Sequence, residues 1–378
     1  MVEIFGTAEP RFESVRKTLE RLIDEGGDVG GSVAVAVDGE IVADIWGGYH
    51  DDSRTDPWNR DTITNVWSMT KTVSALCALI LVDRGQIDLD APVATYWPEF
   101  AQNGKSGVLI KHLLSHTSGV SGWEQPIDIS DIYDWETSTA RLAQQAPWWE
   151  PGTASGYHAV NYGHLIGEVV RRVTGQKLGE FLATEVAGPL GADFHIGLSD
   201  KEIARISPNI NFPPGPPADM SQVDMDSVMM KTATGPAPQV ESSWTTDWQR
   251  ADIGGANGHT NARGIVRLQS LVTNKGEVDG IRLLSPGTID RIFEEQSNGP
   301  DLVIGSQLRW GIGYCLEYGE MPYIPNGRVA FWGGRGGSMV VNDVDRGLTI
   351  GFVQNKLAAD SVGTPSSEAI VRSVYNAL

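Results

Sequence analysis

Strand-type sequence is concentrated at the two ends of the chain, and this distribution constrains the fold more than any other feature. Near the N-terminus, residues 32–37 and 40–46 flank Asp38-Gly39, a dipeptide typical of two-residue hairpin turns. Near the C-terminus, further runs of this kind are separated by turn residues, at positions 307–318, 329–332, 338–342 and 348–354. We therefore expect one antiparallel sheet that draws its strands from both ends of the chain.

The middle of the chain predicts helices instead of strands. Few strand-type runs occur between residues 99 and 205, and apolar residues recur there at helical spacing. The predicted helices of the whole chain lie near residues 12–23, 68–82, 110–114, 131–145, 162–173, 178–186, 262–272, 286–295 and 366–378. The expected fold class is α+β, with residues 1–98 and 245–378 forming an α/β domain around the sheet and residues 99–244 forming an inserted, mainly helical domain.

The balance of charge excludes two classes of partner. The chain has 29 Lys and Arg residues against 48 Asp and Glu residues, which gives a net charge of −19 at pH 7. Such a surface repels nucleic acid and anionic lipid, so neither nucleic acid nor a membrane is expected as a partner. The first residues contain no basic segment followed by an apolar one, so we expect no secretory signal and a cytoplasmic location.

Cysteine and histidine usage argues against disulfides, metals and other cofactors. The two cysteines, Cys77 and Cys315, lie in apolar contexts and are expected to be reduced core residues. The seven histidines show no pair at the spacing of metal ligands, so no metal site and no other cofactor is expected.

The sequence Ser68-Met69-Thr70-Lys71 carries the first sign of chemistry. An apolar run at helical spacing follows it and ends at Arg84-Gly85, so Ser68 and Lys71 are expected on one face near a helix start. A serine hydroxyl is a poor nucleophile, and an amine in a dry pocket can be neutral enough to help take its proton. The motif alone is weak, because an ordinary capped surface helix carries the same residues.

Two later segments supply the other groups that a serine nucleophile needs. Tyr157 lies in a glycine-bounded loop at residues 151–163, just before a predicted helix. The sequence Trp332-Gly333-Gly334-Arg335 ends one predicted strand, and its glycines allow the backbone to approach a substrate and present amide hydrogens to it.

Together these pieces resemble the serine β-lactamase and penicillin-binding-protein-like superfamily, and within it the class C β-lactamase-like esterases, also called family VIII carboxylesterases. The matching pieces follow the family's order over nearly the whole chain, at Ser68-Met69-Thr70-Lys71, residues 113–119, Pro151-Gly152 with Tyr157, Asn161-Tyr162-Gly163 and residues 332–338. The resemblance implies a β-lactamase/transpeptidase-like fold with the active site in the cleft between the two domains.

The resemblance also implies a role for each group. Ser68 would be the acylated nucleophile, and Lys71 would hold Ser68 and share its proton. Tyr157 would be the general base, with Lys71 as the cation that makes its phenolate accessible. The backbone amides of Ser68 and Arg335 would form the oxyanion hole.

Two positions depart from the β-lactamase pattern. Ala159 replaces the Asn of Tyr-x-Asn, and Trp332 replaces the Lys of Lys-Thr-Gly, so the chain offers an apolar wall instead of an ammonium. Both changes favour neutral esters over β-lactams. The expected substrate-binding residues are Trp332, Gly333, Gly334, His158 and Trp67. The side chain of Arg335 either contacts substrate or turns outward, and His116 is expected to make backbone hydrogen bonds.

The predicted function is that of a serine esterase that hydrolyses small to medium carboxylic esters through an acyl-enzyme on Ser68, with little or no β-lactamase activity. One alternative is an acyltransferase that passes the acyl group to a bulky alcohol, and the Pro-rich residues 208–217 are either a lid or a plain connector. Less favoured alternatives are a β-lactamase or D-aminopeptidase-type amidase and a protein that only binds a ligand. The expected partner is a small-molecule ester, and a homodimer is left open.

Overall fold

The computed structural model describes residues 1–212, 223–359 and 362–378, so positions 213–217 of the Pro-rich segment lie outside the described residues. The strands are β1 (Ile4–Ala8), β2 (Gly30–Val37), β3 (Glu40–Gly48), β4 (Thr64–Asn65), β5 (Phe194–His195), β6 (His259–Thr260), β7 (Glu277–Val278), β8 (Ile281–Arg282), β9 (Ser297–Pro300), β10 (Gln307–Trp310), β11 (Cys315–Leu316), β12 (Val329–Gly333), β13 (Met339–Asp343) and β14 (Leu348–Gln354). The α-helices are α1 (Glu13–Asp24), α2 (Thr70–Asp83), α3 (Ile110–Leu114), α4 (Ile129–Tyr133), α5 (Trp135–Gln144), α6 (Tyr162–Thr174), α7 (Leu178–Phe181), α8 (Gly188–Leu190), α9 (Asp200–Ile203), α10 (Val228–Thr234), α11 (Thr246–Arg250), α12 (Ala262–Thr273), α13 (Pro286–Ile292) and α14 (Pro365–Tyr375).

The main sheet takes its strands from both ends of the chain, as the sequence predicts. Its order is β1-β3-β2-β14-β13-β12-β11-β10-β9, and each neighbouring pair is antiparallel. The hairpin β2–β3 turns at Asp38 and Gly39, which have φ values of 50° and 84° as a type I′ turn requires. The α+β class with an antiparallel sheet is therefore confirmed, whereas the boundaries of the two domains stay predictions.

Helices cover both faces of this sheet, which is why its central strands are buried on both sides. On β2, Val33 and Val35 face a core that includes the apolar sides of α1 and α14. The alternate residues Ala34 and Ala36 face the larger core that contains α2 and α12. The apolar face predicted for α1 is confirmed, because Phe12 and the helix residues Val15, Leu19, Leu22 and Ile23 are all buried.

Helix α2 is the central helix of the larger core. Every residue from Thr70 to Leu81 is buried, as expected for a helix that is packed on all sides. It contacts α6 and α7 on one side and α13 on another, so the residues at its start lie deep in the molecule. None of the helices in the described part of the chain is long and apolar enough to cross a membrane.

Several short elements differ from the sequence-based expectation. Strands β1 and β9 and the small sheet β4-β6-β5 are not predicted, because short strands carry little periodic signal. The run at 307–318 divides into β10 and β11 around Gly313, which has a positive φ of 84°. The helix predicted at 131–145 divides into α4 and α5 because the Asp134 side chain caps α5 by accepting a hydrogen bond from the Thr137 amide.

Near the start of α6, Gly163 lies directly against the backbone of the loop that contains Gly255. A Cβ atom at Gly163 would lie 2.3 Å from the amide nitrogen of Gly255, although alanine usually stabilises a helix relative to glycine by about 1 kcal/mol. We predict that Gly163→Ala lowers the free energy of unfolding by roughly 1–3 kcal/mol in urea denaturation, because backbone atoms have to move.

Gly287 is the matched control, because it is likewise the second residue of a helix but is exposed, with only Ser285 Oγ near its would-be Cβ, at 3.9 Å. Gly287→Ala should leave the unfolding free energy unchanged or raise it by up to about 1 kcal/mol. Equal effects of the two substitutions would contradict the importance of the contact between Gly163 and Gly255.

Candidate active site

A cavity of about 510 Å³ opens beside the start of α2. Ser68, Tyr157, Trp332 and Arg335 all line it, so the structure brings together groups that are far apart in the sequence. Most of its remaining wall is apolar, which makes the cavity a suitable site for a small organic molecule.

Ser68 is presented by a tight turn, Trp67–Met69, that leads directly into α2. Trp67 has a φ of 46°, a conformation that is costly for a bulky residue and persists only where its surroundings hold it. The indole Nε1 donates to Asn209 Oδ1 at 2.9 Å, and the ring packs on Trp248 with centroids 5.3 Å apart. Trp67 therefore lines the cavity, as expected for a substrate-binding residue, and also holds the turn of Ser68.

Lys71 is buried and surrounded by oxygen atoms. Its Nζ lies 3.0 Å from Ser68 Oγ, 2.8 Å from the carbonyl oxygen of Ala159 and 2.7 Å from that of Gly255. The side chain is only 1% exposed, and this burial holds the pKa of Lys71 well below its usual value of 10.5.

Three oxygen atoms surround Lys71 Nζ and match the three N–H groups of an ammonium, whereas burial favours the neutral amine. A carbonyl oxygen can only accept a hydrogen bond, so Ala159 and Gly255 each take one N–H of Lys71. A neutral amine has two N–H groups and one lone pair, and the lone pair then faces the remaining neighbour, Ser68 Oγ. Lys71 is therefore placed to receive the proton of Ser68.

Tyr157 lines the same cavity as Ser68, and the centroid of its ring lies 4.7 Å from Lys71 Nζ. Trp332 Nε1 donates to the Tyr157 hydroxyl oxygen at 2.9 Å, and Trp310 stacks on the tyrosine ring with centroids 6.0 Å apart. Burial raises the pKa of Tyr157 above its usual value, although hydrogen bonding to Ser68 and Trp332 acts in the opposite direction. Because an indole N–H can only donate, the proton of the phenol is free to point towards Ser68.

These pKa directions run against part of the expectation drawn from the resemblance. That expectation requires a cationic Lys71 that makes the phenolate of Tyr157 accessible. Burial disfavours the charged form of both groups, so it lowers the pKa of Lys71, raises that of Tyr157 and favours a neutral amine beside a neutral phenol. The sequence does not reveal this, because it does not show how deeply either group is buried.

The end of β12 lies directly against the segment that precedes Ser68. A Cβ atom at Gly334 would be 2.1 Å from the carbonyl oxygen of Val66, so only glycine allows this approach. Gly333 lines the cavity, whereas Gly334 serves the contact with Val66. Within the described ranges, the amides of Ser68 and Arg335 donate no hydrogen bond to the protein, so both are free for a ligand.

His158 is not a substrate contact, and this expectation is wrong. Its ring is buried behind the cavity wall, with Nδ1 2.6 Å from the Gly156 carbonyl oxygen and Nε2 2.6 Å from Ser118 Oγ. Burial lowers its pKa to about 4, so the ring is neutral and braces the loop of Tyr157. The prediction for His116 is confirmed, because its Nδ1 accepts the backbone N–H of His158 at 3.0 Å.

Asp301 is a positioning residue that the sequence does not reveal. It is 1% exposed, and its Oδ1 accepts the amide N–H groups of Tyr157, Val303 and Ile304 at 3.0, 2.9 and 3.0 Å. The carboxylate thus ties the loop of Tyr157 to the cavity wall that Val303 and Ile304 form. The sequence gives no signal for this role, because aspartate is common in turns and the partner residue Tyr157 lies 144 positions away.

The side chain of Arg335 turns towards the cavity, which decides between the two orientations that the sequence leaves open. Its Nη1 donates to the Pro238 carbonyl oxygen at 3.1 Å, and its Cζ lies 5.5 Å from the centroid of the Trp67 ring. The guanidinium therefore lies along the wall that begins at the Arg335 amide.

Comparisons with known proteins agree with this geometry. The model of the family described as Beta-lactamase matches residues 15–371. The chain is 31% identical over 370 residues to Esterase/beta-lactamase LipL of Mycobacterium tuberculosis, an alignment that covers 96% of this chain and 85% of that protein. It is 28% identical over 372 residues to Esterase EstB of Burkholderia gladioli, covering 92% of this chain and 91% of that protein.

A solved structure shows the same architecture. The crystal structure of a family VIII carboxylesterase superimposes with a TM-score of 0.94 at 36% sequence identity, and the match covers 100% of both chains.

The buried amine generates a test that requires no knowledge of the substrate. We predict that a fluorophosphonate probe labels Ser68, and that the labelling rate rises as pH rises through the lowered pKa of Lys71. Above that pKa the amine is neutral and can accept the serine proton, so the rate should level off well below pH 10.5.

Mass spectrometry of the labelled protein at each pH gives the rate. Lys71→Met should remove the labelling, whereas Lys111→Met, which removes a lysine paired with Asp90 at the surface, should leave the profile unchanged. A rate that keeps rising to pH 10.5 would contradict a neutral Lys71.

Proposed function

The chain belongs to the Beta-lactamase family, and from this premise we propose that it hydrolyses small to medium carboxylic esters through an acyl-enzyme on Ser68. It is a serine esterase of the beta-lactamase fold, in line with its esterase-named relatives and the family VIII carboxylesterase structure. The observation that carries the proposed mechanism is the 3.0 Å approach of a buried, lowered-pKa Lys71 to Ser68 on the wall of an apolar cavity.

In the acylation step, Ser68 Oγ attacks the ester carbonyl carbon and gives its proton to Lys71. The carbonyl oxygen becomes negative and is stabilised by the amide N–H groups of Ser68 and Arg335. As the bond to the alcohol oxygen breaks, Tyr157 gives its proton to that oxygen. The alcohol leaves neutral, and the proton held by Lys71 balances the one that Tyr157 has given up.

Water completes the cycle from the side on which the alcohol left. It gives a proton to Tyr157 as its oxygen attacks the acyl carbon, and the same two amides stabilise the negative oxygen. When the bond to Ser68 Oγ breaks, Lys71 returns its proton to that oxygen. In each half-reaction Lys71 therefore exchanges one proton with Ser68, and Tyr157 exchanges one with the leaving alcohol or the attacking water.

Trp332 has two parts in this scheme. Its ring is an apolar wall of the cavity, and its N–H donates to the Tyr157 hydroxyl oxygen. That hydrogen bond stabilises the negative oxygen that Tyr157 carries after giving up its proton. Because Trp332 and Ala159 replace the Lys and Asn of the β-lactamase pattern, β-lactams are proposed to be poor substrates.

Acyl transfer to a bulky alcohol is the second candidate function. The cavity of about 510 Å³ is mostly apolar, so it offers an alcohol acceptor more contact than it offers water. Supplying an alcohol during ester turnover and measuring the transferred product distinguishes the two functions. A homodimer and a cytoplasmic location stay proposals from the sequence.

We predict that the protein hydrolyses p-nitrophenyl butyrate and that Ser68→Ala lowers kcat/KM by about 10³-fold or more. The reason is that no other group can form the acyl-enzyme. Rapid quenching and mass spectrometry should find one butyryl group on the peptide that contains Ser68.

Ser53→Ala, at an exposed serine bound to Asp51, is the matched control and should retain full activity. Turnover of nitrocefin should be far slower than that of the best ester. Full activity in Ser68→Ala would overturn the mechanism, and nitrocefin turnover as fast as that of the best ester would overturn the stated selectivity.

A second prediction separates the two parts of Trp332. Trp332→Phe retains an aromatic wall but removes the N–H donor, so kcat should fall by roughly 3- to 10-fold, as expected for the loss of one hydrogen bond. Tyr157→Phe removes the proton-transfer group itself and should lower kcat by about 10²–10⁴-fold.

In the double variant the two losses should not add, because Trp332 acts through the hydroxyl that Tyr157→Phe removes. Steady-state kinetics with p-nitrophenyl butyrate measure all three variants. Fully additive losses would show that Trp332 does not act through Tyr157.

A further inference from the structure

Arg335 is the one charged side chain among the described residues that line the cavity. The rest of the cavity lining is mostly apolar and includes Phe212, Met229, Val303, Ile304 and Trp332. Two other polar residues of the lining, Ser121 and Thr232, are paired with each other, because their hydroxyl oxygens are 2.6 Å apart. A guanidinium in such surroundings favours a ligand that brings negative charge.

The guanidinium retains most of its hydrogen-bonding capacity. An arginine has five N–H groups, and within residues 1–212, 223–359 and 362–378 only Nη1 donates, to the Pro238 carbonyl oxygen. In the same ranges no carboxylate lies within ion-pair distance of Arg335, and Glu241 acts on it only from farther away. The Trp67 ring, at 5.5 Å, holds the guanidinium plane beside the cavity.

The position of Arg335 along the chain brings this charge close to the reacting atoms. Its backbone amide is the proposed oxyanion donor, and its side chain extends from there along the cavity wall to Pro238. A substrate with its ester carbonyl at Ser68 can therefore place a second functional group within reach of the guanidinium. In the β-lactamase pattern, a lysine stands at the position of Trp332. In this chain the cation is Arg335, three positions later.

We propose that Arg335 recognises a carboxylate on the ester substrate, so that the enzyme prefers carboxylate-bearing esters, such as monoesters of dicarboxylic acids, over neutral esters of the same size. This inference rests on the proposed function. A planar guanidinium matches a carboxylate with two parallel hydrogen bonds, and apolar walls strengthen the attraction. It departs from the expectation, based on Ala159 and Trp332, that the site favours neutral esters.

A purely structural role for Arg335 predicts something different. The hydrogen bond to Pro238 also ties the 235–238 segment to the rim of the cavity. Loss of such a tie would affect charged and neutral substrates alike. Recognition of charge instead changes the ratio of the kcat/KM of a charged ester to that of its neutral isostere. A shift of the oxyanion hole would affect both substrates equally, so its effect cancels in that ratio.

The test uses two matched pairs of esters. The first pair is p-nitrophenyl hemiadipate and the p-nitrophenyl ester of adipamic acid, in which a neutral amide replaces the carboxylate of the acyl group. The second pair is the butyrate esters of 4-hydroxybenzoate and 4-hydroxybenzamide, which place the same change on the alcohol. A preference for the anion in either pair supports the proposal and shows which side of the ester carries the carboxylate.

In the preferred pair, Arg335→Gln should lower the anionic-to-neutral ratio of kcat/KM by about 10- to 100-fold, the range expected for hydrogen bonds to a charged group. Arg335→Lys should retain part of the preference, and added salt should reduce it only modestly because the site is half-buried. Glu241→Gln should raise the ratio, since Glu241 is the acidic group that acts on Arg335.

Arg282→Gln is the control for net charge, because Arg282 lies on β8, is half-exposed and pairs with Glu277. It should leave the ratio unchanged. Ratios near one in both pairs, or a ratio that Arg335→Gln does not change, would overturn this inference while Ser68-dependent hydrolysis of the neutral esters continued. If no ester were hydrolysed through Ser68, the proposed function itself would fail.

Discussion

The site depends on a buried lysine, Lys71, which has no carboxylate beside it among the residues that the structure describes. Lys71 Nζ is held by two backbone carbonyls, those of Ala159 and Gly255, and its third neighbour is Ser68 Oγ. Burial disfavours the ammonium form and so lowers the pKa of Lys71, which supports the proposed role of this amine as a proton acceptor. In the proposed mechanism, catalysis therefore depends on the burial of Lys71 beside Ser68.

That placement is a consequence of close backbone packing around α2. Ser74, one turn after Lys71, donates its hydroxyl to the Gly254 carbonyl oxygen at 2.5 Å, and Gly163 of α6 lies against the same loop. Tyr157 is organised by polar ties, because Asp301 holds its amide and Trp332 holds its hydroxyl. Core packing therefore positions Lys71, the proposed proton acceptor, and buried hydrogen bonds position Tyr157, the proposed proton donor.

The sequence predicted the parts of the molecule that have local signals. The hairpin β2–β3 follows from Asp38-Gly39, and the apolar face of α1 follows from its helical spacing. The pair Ser68 and Lys71 is visible as a motif, whereas the burial that lowers the pKa of Lys71 is not, since it depends on how distant segments pack. Asp301 and the inward orientation of His158 were missed because both depend on contacts between distant segments.

The central claim is that Lys71 is neutral in the resting enzyme, and an NMR titration of isotope-labelled lysine tests it most directly. The Lys71 signal is assigned by its loss in Lys71→Met. We predict that this signal titrates well below pH 10.5, at a lower pH than the signals of the surface lysines. In the pH range of activity, the Lys71 signal should be that of a neutral amine. A signal that remains that of an ammonium up to pH 10.5 would contradict the account.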